Sequence, residues 1–211
     1  LAGFGCTVAA YFSFSLLPLL PLACLWILVD HFLTSPRPGV KQVLKSMAGL
    51  FLGALITTAL LYWLLNYDIR LRYVNALANH STTHTFASWG EQVRNAFALN
   101  NAEMATWVGF PVILLLLINL VVVLKDVLGH KANRFHALVI STWITYLAIL
   151  IFGRTNGETQ RLYLFLVPLW VLFAGQGTIR AFGHRKFPVF LVVILQFTTM
   201  LLTFFFQDFY A

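Results

Sequence analysis

Five stretches of this chain are long, apolar and almost free of charge: Leu1–Val29, Leu44–Leu65, Trp107–Leu124, Phe135–Phe152 and Phe187–Phe206. A hydrocarbon core is crossed by about 20 apolar residues in a helix. Within it, every backbone N–H and C=O must be satisfied inside the segment, which leaves helices as the solution for runs of this kind. Pro18 and Pro21 fall inside the first run. Pro111 and Pro188 stand at the start of the third and fifth, where a missing N–H costs a helix nothing. A sixth stretch, Leu162–Gly175 with Pro168 inside it, is shorter. It reaches spanning length only by continuing through Gln176, Gly177, Thr178 and Ile179, and is expected to pack against other helices rather than lipid. A re-entrant half-helix is the alternative. The expected fold class is all-α: a polytopic membrane protein of about six transmembrane helices, forming one membrane domain over residues 1–211.

Composition agrees. Hydrophobic residues make up 60% of the chain and charged residues 10%, against about 25% charged in soluble domains. The mean hydropathy is +0.82. A disordered chain, a disulfide-stapled secreted miniprotein and an ordinary cytosolic enzyme are excluded. The net charge of +7 is not gathered into a basic stripe, so nucleic acid is not an expected partner. Leu1, in place of Met, lies inside an apolar run. The expectation is the C-terminal part of a longer protein, lacking N-terminal spans. Cys6 and Cys24 are 18 residues apart. On one continuous helix they would stand about 27 Å apart, too far for a disulfide.

Six spans sort the charges. The first, third and fifth connections hold Arg37, Lys41, Lys45, Lys125, Lys131, Arg134, Arg180, Arg185 and Lys186, with only Asp30 and Asp126 as acids. The second and fourth hold Arg70, Arg72, Arg94, Arg154 and Arg161 with Asp68, Glu91, Glu103 and Glu158; Asp208 follows the last span on that side. The positive-inside rule then puts the first group in the cytoplasm and the long connection 66–106 outside.

That connection is too long to be structureless in a compact protein. Ser88-Trp89-Gly90-Glu91 fits a capping box. Trp89, Val93, Ala96 and Phe97 follow on one helical face, with Glu91, Arg94 and Asn95 opposite. Leu71, Val74 and Leu77 form an earlier apolar stripe. Both read as amphipathic helices in the interface plane, either a loop tucked onto the surface or a lid over a site.

Polar chemistry concentrates in Gly153-Arg154-Thr155-Asn156-Gly157-Glu158-Thr159-Gln160-Arg161. Charges at a membrane boundary are costly unless paired or used. Glu158 and Arg161 are three apart and share a helix face, so a capped, ion-paired helix start is one reading. The other is a phosphate held by Arg154 and Arg161, with Glu158 orienting one of them; the planar guanidinium binds phosphate oxygens through two parallel bonds. Asn100-Asn101-Ala102-Glu103 offers amides and a carboxylate ahead of the third run, for helix capping or for sugar hydroxyls. His80 and His84 have a metal-ligand spacing on a helix, but Ser81, Thr82 and Thr83 disfavour one and no HExxH-type acid accompanies them. No metal is expected. Asn79-His80-Ser81 matches the N-glycosylation pattern.

Asn100-Asn101-Ala102-Glu103 with Trp107-Val108-Gly109-Phe110-Pro111, then a span, then Gly157-Glu158-Thr159-Gln160-Arg161 running to Pro168, resembles the later spans of the GT-C glycosyltransferases. These are polyprenyl-phosphate-dependent membrane enzymes akin to protein mannosyltransferases and lipid A aminoarabinose transferases. Tyr11-Phe12-Ser13-Phe14-Ser15 is similar to the span before their outer loop. The resemblance implies an enzyme of the bacterial plasma membrane that passes a sugar from a polyprenyl-phosphate carrier to an acceptor hydroxyl on the outer face. It implies membrane lipid and a lipid-linked sugar as partners, and no cofactor beyond that donor. The family's general base is a carboxylate in the first outer loop, and no residue of this chain matches it. Arg154, Glu158, Arg161, Glu103 and Asn101 form the expected substrate-binding set. A lipid or oligosaccharide transporter half and a non-catalytic membrane subunit are the competing classes. Ion-coupled transport predicts ionisable groups deep in the spans, where the main polar residues here are the neutral Asn119 and Gln196.

Overall fold

A computed structural model describes residues 1–13, 16–34, 38–83, 88–152, 163–183 and 186–206. Every regular element among them is helical. They are α1 (Ala2–Phe12), α2 (Leu19–Leu33), α3 (Val40–Leu65), α4 (Ile69–Thr83), α5 (Trp89–Asn95), a π-helical turn (Ala96–Asn100), α6 (Asn101–Val108), α7 (Phe110–Leu128), α8 (Arg134–Phe152), a 3₁₀ turn (Leu164–Leu166), α9 (Val167–Phe182) and α10 (Lys186–Phe206). Among the described residues, three stretches are long and apolar enough to cross a membrane: Val40–Leu65, Phe110–Leu128 and Arg134–Ile151. Ala2–Phe12, Leu19–Leu33 and Phe187–Thr199 are shorter apolar helices. Over the described residues the protein is all-helical, with the character of an integral membrane protein.

The first apolar run differs from expectation. It forms two helices, because α1 ends at Ser13 in extended backbone and α2 starts only after Pro18. The break brings α1 against α2, so the separation estimated for a continuous helix does not apply. Both thiols are free. Helix α1 packs on α3 through small residues. Gly3, Thr7 and Ala10 are its buried positions, and a Cβ on Gly3 would collide with the Leu50 carbonyl. Close backbone approach through small residues is how helices associate where no hydrophobic driving force separates them from lipid.

The core lies between α7, α8 and α9. Leu115, Leu116 and Val123 of α7, Val139 and Leu150 of α8, and Trp170 and Phe173 of α9 are its buried apolar side chains. Helix α9 continues through Gly177 to Phe182, but it starts at Val167 and its 16 residues are not among the helices long and apolar enough to span. Gly177 is its closest approach to α7: a Cβ there would lie 2.6 Å from the Leu115 carbonyl oxygen and 3.3 Å from Asn119 Cβ. Asn119 is fully buried, and neither of its amide atoms has a hydrogen-bond partner among the described residues.

Charged side chains meet where the C-terminal ends of α7 and α9 reach the start of α8. Asn133 and His136 cap α8 reciprocally: the His136 N–H donates to Asn133 Oδ1 at 3.1 Å, and the Asn133 N–H lies 3.3 Å from His136 Nδ1. His136 Nε2 is 2.9 Å from Arg180 Nη2 and 3.4 Å from Asp126 Oδ2, and Arg180 Nη1 is 3.7 Å from the same carboxylate oxygen. Three helices are thereby tied by one buried imidazole between an acid and a base.

Candidate functional site

The long connection is helical over most of its length. Asn66 ends α3 in the left-handed conformation, and Asp68 caps α4 by accepting the Leu71 N–H at 3.0 Å. Tyr67 fastens the junction. Its ring lies edge-on to Tyr11 at 4.7 Å, and the Arg72 guanidinium sits 5.4 Å from its centroid. Burial pushes the Tyr67 phenol above its ordinary value, with the Arg72 charge pulling it back. Ser88 caps α5 as its motif predicts, accepting the Glu91 N–H at 3.3 Å. The apolar face is present too: Leu71, Val74, Trp89 and Phe97 are exposed, and Ala96 is buried.

Helix α5 does not end at Asn95. It widens into the π turn 96–100 and resumes as α6, so the helical path is unbroken to Val108. π turns hold one extra residue and often mark functional positions. This one turns Asn100 fully inward and leaves Asn101 beside the aromatic core. Asn101 Oδ1 accepts the Tyr146 hydroxyl at 2.7 Å, and its Nδ2 donates to the Phe97 carbonyl at 2.6 Å. Asn100 Nδ2 donates to the Tyr163 hydroxyl at 3.5 Å. The Tyr146 ring meets Tyr163 edge-on at 5.5 Å and Trp170 at 5.2 Å, and Trp143 lies 5.9 Å away. The indole N–H groups of Trp143 and Trp170 are buried with no hydrogen-bond partner among the described residues.

Asn100 is therefore not a side-chain cap, and Glu103 stands in the first turn of α6. Asn100 has αR backbone and makes no side-chain cap, because the π turn already feeds α6. The helix breaks later, at Gly109, where φ is 91°. Gln196 of α10 donates to the Val108 carbonyl freed by that break, at 2.7 Å. A mid-span polar residue is thus a backbone partner. A Cβ on Gly109 would collide with the Gln196 side chain.

Of the expected substrate-binding residues, Asn101 and Glu103 lie on α6, Asn101 exposed and hydrogen-bonded to Tyr146, Glu103 half-buried. Arg154, Glu158 and Arg161 lie outside the described residues, as do His84 and the side chain of His80. Tyr146, Tyr163, Trp143 and Trp170 had no part in the sequence reading of the site. The hydrogen-bond partners of Tyr146 and Tyr163 are 45 and 63 residues away in the chain, so no local spacing signals those two contacts. The arrangement offers amide groups, phenol hydroxyls and aromatic faces, the groups that bind uncharged, hydroxyl-rich molecules, and Tyr163 follows Arg161 by two residues. No protein-family model, curated protein or solved structure matches this chain.

Proposed function

We propose that the chain is the C-terminal part of a GT-C-like membrane glycosyltransferase of the bacterial plasma membrane. It moves a sugar from a polyprenyl-phosphate carrier to an acceptor hydroxyl, with segment 66–106 on the outer face. The observation carrying this reading is the Asn100–Asn101–Tyr146–Tyr163 cluster; in the sequence Tyr146 precedes and Tyr163 follows segment 153–162, which holds Arg154, Glu158 and Arg161. The amides and phenols supply hydrogen bonds for sugar hydroxyls, and the arginines supply charge for a departing phosphate. The general base is assigned to no residue of this chain. A general base must reach the acceptor proton, and Glu103 and Glu158 are given binding roles only.

The test is sugar transfer from a polyprenyl-phosphate donor by the full-length protein carrying Glu158→Gln or Arg161→Met. Both are expected to insert into the membrane normally and to lose transfer. Undiminished transfer by both variants removes the charged segment from the site and the proposal with it. Asn101→Ala is expected to raise the donor or acceptor KM more than it lowers kcat, as lost ground-state binding does.

A further inference from the structure

A cleft of about 190 Å³ opens where the C-terminal end of α2 meets the first turns of α3 and α8, lined by Trp26, Asp30, Gln42, Ser46 and Arg134 among others. Its charges are badly matched. The Asp30 side chain is only 15% exposed, and its Oδ1 is buried with no hydrogen-bond partner among the described residues. Its other oxygen lies 3.8 Å from Arg134 Nε, a long contact to a side chain that is 73% exposed. A buried carboxylate oxygen without a donor is costly, and so distant and exposed a guanidinium offsets little of that cost. Trp26 walls one side and donates its indole N–H to the Arg134 carbonyl at 3.4 Å, which fixes the backbone of Arg134 beside Asp30. Gln42 and Ser46 add an amide and a hydroxyl. The surroundings are otherwise basic, with exposed Lys41 and Lys45 on the same turns of α3.

We propose that this cleft binds the headgroup of an aminophospholipid of the phosphatidylethanolamine type. The primary ammonium donates to the Asp30 carboxylate, and the neighbouring phosphate faces the Arg134 guanidinium. One acid and one base set in a single cleft suit a zwitterion; an anion alone leaves Asp30 unmatched, and a lone cation adds to a basic surface. The source is lipid because the cleft lies at the ends of α3 and α8, both apolar enough to span, and headgroups sit at that depth. A primary ammonium is selected over a quaternary one because only the former carries N–H donors.

The test is native mass spectrometry of the whole chain in neutral detergent, titrated with phosphatidylethanolamine, phosphatidylcholine and phosphatidylglycerol of identical acyl chains. Phosphatidylethanolamine is expected to bind roughly tenfold more tightly than either of the others, the order of one charge-assisted hydrogen bond. Asp30→Asn is expected to erase that preference, and Asp30→Glu to retain most of it. Arg134→Met is expected to weaken all three lipids. Equal binding of phosphatidylethanolamine and phosphatidylcholine by the unaltered chain overturns the proposal whether or not the variants fold. So does a preference that survives Asp30→Asn in a variant with unchanged helical circular dichroism. Soluble phosphoethanolamine competing as well as the lipid overturns the assignment of a membrane source.

Discussion

The two polar clusters on helix α8 are built from opposite materials. At its start, His136 is caught between Asp126 and Arg180, an ionic knot joining the ends of α7 and α9. Towards its other end, Tyr146 meets Asn101, Tyr163 and two tryptophans, and no formal charge takes part. Ionic contacts in a partly buried setting are strong only while every partner is present. Neutral amide–phenol contacts are individually modest, but they tolerate exchange of one partner for a ligand hydroxyl. The first cluster is suited to holding helices together, the second to holding something that comes and goes.

The largest expected effect falls on the strut that joins the two ends. Gly177→Ala places a Cβ 2.6 Å from the Leu115 carbonyl oxygen. Helices α7 and α9 must then separate, at a cost of about 3 kcal/mol. Thermal unfolding in detergent is expected to show a clear fall in Tm, and an unchanged Tm would mean that the helices are not packed backbone to backbone. Next comes Asp126→Asn, which leaves His136 and Arg180 facing each other without their acid. A loss of about 2 kcal/mol is expected. The double variant Asp126→Asn/Arg180→Met should recover part of it, and purely additive losses would show that the three groups are uncoupled.

Tyr146→Phe removes one hydroxyl from the neutral cluster and is expected to cost about 1 kcal/mol. In the full-length protein it should weaken sugar transfer out of proportion to that loss. Stability and transfer falling together would make the cluster a piece of core. The smallest effect belongs to Ser88→Ala, worth about 0.5–1 kcal/mol for a lost N-cap. It should appear as faster amide exchange within Trp89–Asn95, leaving the Tyr146 cluster undisturbed.

Much of this was legible in the residues because it is local. The capping box at Ser88 needs only a hydroxyl three residues before an amide, and the structure makes that bond. The α3, α7 and α8 runs announce themselves by length and hydropathy. What failed was equally local in origin. Leu1–Val29 reads as one apolar run because hydropathy does not register a chain reversal, and Pro18 with extended backbone at Ser13 divides it. Capping is one of the two readings of Asn100 and Asn101, and it does not hold for Asn100 because a π turn carries the helix through it into α6.

The residues alone determined that this chain is helical and apolar, where its longest helices lie and which motif starts α5, since each depends on neighbours within a few turns. Tertiary structure alone decided that Asn101 meets Tyr146, that Gln196 satisfies Val108, that His136 joins Asp126 to Arg180 and that Asp30 is left beside a cleft. Those contacts join groups far apart in the chain, and hydrophobic patterning specifies which faces are buried without specifying which polar group each face will meet.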